Sequence, residues 1–128
     1  MKLDINCVRA ILLELEGFPL GSYAPCDFKQ AVSEFGIDSV EYTLKKLHEG
    51  GYINAKITEP DTAKLDFYGI FDMTFAGHEF LAKIRDTQQW ATVKKGAAAI
   101  RNYSLSAISA IAEGVTAAAI NAYLSANP

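Results

Sequence analysis

From Met73 to Asp86 the chain passes from a strand pattern into a helix pattern with no loop between, and the rest of the chain is organised around this junction. Upstream, Phe67, Phe71 and Met73 fall on one side of a period-two alternation, and downstream Phe80, Leu81 and Ile84 share one helical face. Thr74 is the hinge. Its hydroxyl is placed to cap a helix starting at Phe75, a contribution of about 1 kcal/mol. Gly77, one turn further on, leaves room for a second backbone to approach. The stretch reads as the last strand of a β-hairpin handing over to the next helix.

What precedes it can be taken in order. Ile5, Val8, Ile11, Leu12 and Leu15 repeat at helical spacing, and Gly17, Pro19 and Gly21 end that first helix. The segment from Ser22 to Phe35 supports two readings. Asp27 with Gln30 is a capping pair for a short helix carrying Phe28, Val32 and Phe35, while a strand from Tyr23 to Phe28 competes. Asp38 followed by Glu41 forms a second capping box, opening a helix with Val40, Leu44 and Leu47 as its stripe and Gly50-Gly51 as its stop. Ile53, Ala55 and Ile57 then alternate with Tyr52, Asn54 and Lys56 as a half-buried strand. Glu59-Pro60-Asp61-Thr62 is a polar turn, and Leu65 to Met73 is the returning strand.

Helix, helix, helix, hairpin, helix is the order of a winged helix, in which the third helix enters a DNA major groove and the hairpin is the wing. The expected fold class is therefore α+β: a winged helix over residues 1–96, followed by residues 97–128. Beyond Arg85, Asp86 and Gln89 are a further capping pair, opening a short helix with Trp90 and Val93 on it. Residues 96–102 read as a small-residue connector. From Ser104 to Ala126 the pattern is one last helix whose larger apolar members are Leu105, Ile108, Ile111, Val115, Ile120 and Leu124 and whose one charge is Glu113. A surface helix normally carries a charged outer face. This one wants company on more than one side.

With 128 residues, half of them hydrophobic, the chain is long enough to bury one real core and too short for two. A net charge of -3 argues against a generally basic nucleic-acid coat, because affinity of that kind rests on phosphate neutralisation by Lys and Arg. A small basic face remains compatible with it. Met1-Lys2-Leu3-Asp4 leads directly into an amphipathic pattern rather than a signal peptide. A cytoplasmic, reducing location with Cys7 and Cys26 both free is the expectation.

Several of these segments carry a family likeness. Asp4-Ile5 and Arg9-Ala10-Ile11-Leu12-Leu13-Glu14-Leu15-Glu16 belong to it, as does the helix end Leu47-His48-Glu49-Gly50-Gly51-Tyr52-Ile53. So do Met73-Thr74-Phe75-Ala76-Gly77-His78-Glu79-Phe80-Leu81, then Ile84-Arg85-Asp86 and Trp90. Together they resemble the bacterial and prophage domain-of-unknown-function family numbered 2513. The resemblance spans about residues 1 to 96 and implies a winged-helix-like domain of the sort often found on mobile elements, with no established activity to carry over. Met73 stands where the family pattern usually has Leu, and the Ala-rich tail departs from the more charged endings of the family.

Little in the sequence points to catalysis or metal. His78-Glu79 lacks the second His four residues after the first that a zinc-protease helix needs, Ala82 standing there. Cys7, Cys26, His48 and His78 have none of the paired short spacings of a zinc site. Cys7, beside the apolar stripe of the first helix, reads as a small buried residue. His78, Arg85 and Asp86 read as structural hydrogen-bonding or capping groups, and Trp90 as a core anchor. No enzyme, cofactor or metal is expected.

The leading expectation is a non-enzymatic DNA-binding or regulatory module of a bacterial or prophage gene set, binding as a dimer. Its candidate DNA contacts are Ser39, Tyr42, Thr43, Lys45 and Lys46 on the third helix with Lys56 and Lys64 on the wing, opposed by Asp38, Glu41, Glu49, Glu59 and Asp61. The alternative is a protein-protein interaction module that kept the winged fold without binding DNA. Small residues around the terminal helix suit a homodimer through Ile108, Ile111, Val115, Ala119 and Ile120. Glu113 and Asn121 within that segment argue against a membrane span.

Overall fold

Asp4 opens the first element: its carboxylate accepts the backbone N–H of Asn6 at 2.8 Å, and α1 (Ile5–Gly17) follows with Ile5, Val8, Ile11, Leu12 and Leu15 buried. The structure is a computed structural model that describes residues 1–58 and 66–126. The turn expected at 59–62, with Lys64 and Leu65, lies outside the described residues. Among the described residues there are six α-helices and a two-stranded antiparallel hairpin, an α+β, winged-helix-like arrangement. They fall into two compact units, Met1–Glu79 and Phe80–Pro128.

The segment after α1 resolves the two readings of 22–35 by using both in part. Tyr23 forms a single β-bridge to Ile70, each residue's N–H donating to the other's carbonyl at 2.8 Å. Its ring stacks beside Phe18, centroids 4.4 Å apart, and its hydroxyl donates to the Pro19 carbonyl. A 3₁₀ turn, Pro25–Asp27, follows, and then α2 (Lys29–Phe35). The expected Asp27-Gln30 cap does not form. Asp27 instead accepts the Ala24 N–H at 2.8 Å, and the N-terminus of α2 is closed from another helix: Glu14 on α1 accepts the N–H of Ala31 at 2.6 Å and that of Gln30 at 3.4 Å.

The Asp38-Glu41 box is also corrected. α3 (Ile37–Glu49) starts two residues too early for it, from Gly36 at φ 87°, a left-handed conformation open to glycine at no cost. Asp38 lies in the first turn, where its charge favours the helix dipole. At the other end the Gly50-Gly51 stop is as expected. Gly51, at φ 79°, donates to the His48 carbonyl at 3.1 Å and Tyr52 donates to Leu47 at 2.9 Å, the two bonds of a Schellman cap. Helices α1, α2 and α3 pack on one another, and the hairpin packs against α1 and α3.

The hairpin is β1 (Ile53–Thr58) with β2 (Asp66–Met73). Its register pairs Ile53 with Met73 and Asn54 with Asp72, then skips Phe71 to pair Ala55 with Ile70. A second skip, at Tyr68, separates the Lys56-Gly69 and Ile57-Phe67 pairs. These irregularities break up the expected apolar face of Phe67, Phe71 and Met73: Met73 is buried as expected, Phe67 is half-buried and Phe71 faces outward. An extra residue in one strand reverses which side its neighbours face; Ile70 is buried in place of Phe71, which is 40% exposed.

Beyond Met73 the hand-over to helix is as read. α4 is Phe75–Ile84, and the Thr74 hydroxyl accepts the Gly77 N–H at 3.1 Å while donating to the Gly51 carbonyl. At Gly77 a Cβ would collide with the Tyr52 carbonyl oxygen and lie 2.5 Å from Cγ of Met73. In the second unit Asp86 caps α5 (Thr87–Ile100) by accepting the Gln89 N–H at 2.8 Å, and Trp90 is buried. The expected connector at 96–102 is helical as far as Ile100, ending at Arg101 in a left-handed cap with φ 55°. α6 (Leu105–Ala126) follows, capped by the Ser104 hydroxyl, which accepts the Ala107 N–H at 3.1 Å. α5 and α6 pack together, Ala97 and Ile108 both buried.

Candidate interaction surfaces

The third helix presents a narrower polar face than its sequence suggests. Ser39, Tyr42, Lys45 and Lys46 are half-buried, but Thr43 is only 2% exposed. Its hydroxyl donates to the Ser39 carbonyl at 2.7 Å and lies 3.4 Å from the Cys7 sulfur. Thr43 is therefore a core residue, one place before Leu44 on the stripe from Val40 to Leu47, and does not belong with the DNA candidates.

The two lysines on that face are engaged by one carboxylate. Lys46 Nζ donates to Glu49 at 3.0 Å, and Lys45 Nζ lies 3.9 Å from the same group. The Lys46 hydrogen bond, together with the charges of Lys46, Lys45 and His48, holds the Glu49 carboxyl below its ordinary range. Lys46 also sits 5.5 Å from the centre of the Tyr42 ring. On the hairpin, Lys56 is exposed, while Lys64 lies outside the described residues. Asp72 accepts from the Asn54 side chain at 2.7 Å on the same strand pair.

The charge of the whole first unit sets the field in which these lysines act. Residues 1–79 carry seven Lys and Arg against thirteen Asp and Glu, a net charge of -6, whereas residues 80–128 carry five against two, a net charge of +3. The winged-helix-like unit is the acidic one.

Two exposed aromatic side chains flank the strand-to-helix junction, Phe71, which the alternation placed on the apolar face, and Phe75, which the sequence offered only as the start of the helix. Phe75 is 80% exposed at the first position of α4, and Phe71 is turned outward by the bulge. A signal for Phe75 existed, since Phe80, Leu81 and Ile84 define the buried face of α4 and Phe75 falls off that stripe. His78 is exposed on the same helix.

The terminal helix divides its candidate contact residues into two groups. Ile108 is fully buried within its own unit, and Ile111 lies against Gly96, where an added Cβ would stand 3.0 Å from its Cγ2. Val115 is half-buried, and Ala119 and Ile120 are exposed. The expected five-residue face is thus spent in its first part on α5. Glu113, the one charge of α6, accepts a hydrogen bond from Lys83 Nζ at 2.7 Å, and the same ammonium donates to the Ser109 hydroxyl at 2.9 Å.

Neither cysteine is disulfide-bonded: Cys26 is exposed and Cys7 buried. Burial pushes the Cys7 thiol up, against a partial opposing effect of the Thr43 hydroxyl, so it stays protonated and covered rather than poised as a nucleophile. Among the described residues no three of His, Cys, Asp and Glu stand together as a metal-binding group.

An acidic winged-helix-like unit with its capped strand-to-helix junction, followed by two packed helices, is the architecture into which the family likeness fits. The sequence pattern of a family of hypothetical proteins, DUF2513, matches residues 2–103, and the chain belongs to that family. The match ends just before α6 begins at Leu105. No curated protein and no solved structure matches the chain.

Proposed function

We propose that this protein is a non-enzymatic regulatory module that acts through protein contacts, using a winged-helix-like unit that does not depend on phosphate binding. The observation that carries the reading is the charge of the first unit, -6 over residues 1–79, with the Lys45 and Lys46 ammonium groups already engaged by Glu49. A DNA-reading surface gains most of its affinity by neutralising phosphates, and here a duplex would meet Asp38 and Glu41 at the leading end of α3. The exposed Phe71 and Phe75 offer the kind of aromatic contact that recurs at protein interfaces.

DNA binding is the second reading. It draws on the half-exposed Tyr42, Lys45 and Lys46, on the exposed Lys56, and on the place of α3 as the third helix before the hairpin. Fluorescence anisotropy of labelled random duplex DNA, at about 50 and 200 mM salt, separates the two readings. The protein-contact reading expects no salt-sensitive binding at the lower salt. Binding that weakens steeply with salt and is lost on Lys45→Glu with Lys46→Glu would establish the DNA reading instead.

A further inference from the structure

The two acidic side chains of the second unit are both committed to its own structure. Asp86 caps α5, Glu113 pairs with Lys83, and α5 itself carries no acidic side chain. Its cations are differently placed. Lys94, Lys95 and Arg101 form no ion pair among the described residues, whereas Lys45, Lys46 and Lys83 each do. Lys95 and Arg101 are exposed; Lys94 is half-buried, its ammonium 5.8 Å from the centre of the Trp90 ring. A contact of that kind orients the side chain and leaves its charge in place.

The three cations share one side of α5. Lys94 and Arg101 are seven residues apart, two turns along one line, and Lys95 stands beside them. At about 1.5 Å per residue the run is about 10 Å long. The exposed Ala91 and Ala98 lie between the charges, and Trp90, Val93 and Ala97 take the buried side of the helix.

Charge spacing decides what fits this face. A DNA duplex presents about one negative charge per 1.7 Å, hence about six over the run, and three cations would leave half of them unneutralised on a molecule of net charge -3. An anionic bilayer is held by clusters of about four to eight basic residues, and here nothing larger than alanine stands between the cations to insert. Ile100, exposed near the end of α5, falls on the Val93 line instead. Carboxylates on a partner helix match both number and pitch. At i, i+3 or i+4, and i+7 they stand about 5–6 Å apart, which places three over the same length.

We propose that Lys94, Lys95 and Arg101 dock an acidic protein segment, a helix whose carboxylates recur at that spacing. This surface rests on the protein-contact reading and adds to it the charge that one partner must carry. It shares no residue with the α3 face or with Phe71 and Phe75. Opposite charge of this kind speeds encounter and selects the partner.

The test is fluorescence anisotropy of the full chain with a labelled alanine-rich helical peptide carrying glutamates at i, i+3 and i+7. Saturable binding is expected at about 50 mM salt, weaker by about tenfold at about 200 mM as the screening length shortens. Lys94→Glu, Lys95→Glu and Arg101→Glu together should weaken it by about 100-fold or more, because like charges then face one another. Arg101 has φ 55°, so Lys95→Glu with Arg101→Asn is the variant that guards against misfolding, asparagine tolerating that conformation. It should bind about tenfold more weakly with an unchanged circular dichroism spectrum. Lys45→Glu with Lys46→Glu should leave peptide binding as it was, so that failure of the protein-contact reading, seen with DNA on α3, is told apart from failure here. No peptide binding overturns the proposal, as does binding that the α5 variants keep or that a scrambled peptide of the same composition equals. A short duplex or phosphatidylglycerol vesicles bound more tightly than the peptide, and released by the same α5 variants, would assign the face to nucleic acid or lipid and overturn it equally.

Discussion

Glu14 of α1 closes the N-terminus of α2 by accepting the backbone N–H of Ala31 at 2.6 Å, across 17 residues of sequence. The first four N–H groups of a helix have no partner within it, and a seven-residue helix has few bonds with which to compensate. A carboxylate supplied from the neighbouring helix both satisfies those donors and meets the positive end of the dipole.

Glu14→Ala should therefore destabilise the protein by about 1–2 kcal/mol, the range for loss of a capping group. Glu14→Gln should recover part of the loss because its amide oxygen still accepts. Urea denaturation of the three proteins measures both differences, and equal stability for Glu14→Ala and the parent would show that α2 does not rely on this cap.

Gly77→Ala puts a methyl group into the Tyr52 carbonyl oxygen and close to Met73. The collision is with backbone, which cannot rotate away. A loss of about 2 kcal/mol or more is expected, beyond the 1–3 kcal/mol usual for overpacking if the junction cannot shift. Gly114→Ala, with nothing within 4 Å, is the matched control on α6 and should be neutral or slightly stabilising. Thermal melting of the pair reads the contrast.

The bulge makes adjacent residues opposite in importance. Ile70→Ala should cost about 2–4 kcal/mol, as for a fully buried aliphatic side chain, whereas Phe71→Ser should cost less than about 1 kcal/mol. The reverse order in equilibrium unfolding would mean that the strand runs in the unbulged register.

Cys7 gives a pH dependence whose sign follows from its burial, the largest cause of its raised thiol; Thr43 partly opposes this, and the charges of Asp4 and Glu34 add to it. The folded protein keeps that proton where the unfolded chain releases it. The stabilisation is complete below the unfolded value of about 8.5 and is lost as pH rises through the folded one. Between about pH 8 and 10 the parent should lose stability more steeply than Cys7→Ala. A native-state thiol assay should find Cys26 alone reactive at neutral pH, and both after unfolding.

What could be read from sequence was local. Thr74 with Gly77, and Asp86 with Gln89, are donors and acceptors three residues apart, and both formed. The stripe from Ile5 to Leu15, the Gly50-Gly51 stop and the buried Trp90 follow from periodicity and turn chemistry in the same way. Glu14 with Ala31 and Tyr23 with Ile70 were not legible, because each depends on which distant backbone comes alongside. Asp27 and Asp38 satisfied the capping pattern yet neither capped its helix through that pattern, since Glu14 and the left-handed Gly36 fixed the starts elsewhere. Phe71 failed differently: strict alternation has no means of announcing an extra residue. Thr43 was within reach, for it lies three residues after Val40 and four before Leu47 on the stripe already identified.

Gly51, Tyr52, Thr74 and Gly77 join the end of α3 to the start of α4. The Thr74 N–H donates to the Tyr52 carbonyl at 3.0 Å, its hydroxyl donates to Gly51, and Gly77 lets that same carbonyl lie flat against the helix. The strands between are consequently tethered at a common base, like a strap sewn down at both ends. Sequence drift along the hairpin can then alter what it touches without re-aiming either helix, which gives descendants of this fold a part to vary and a frame that stays put.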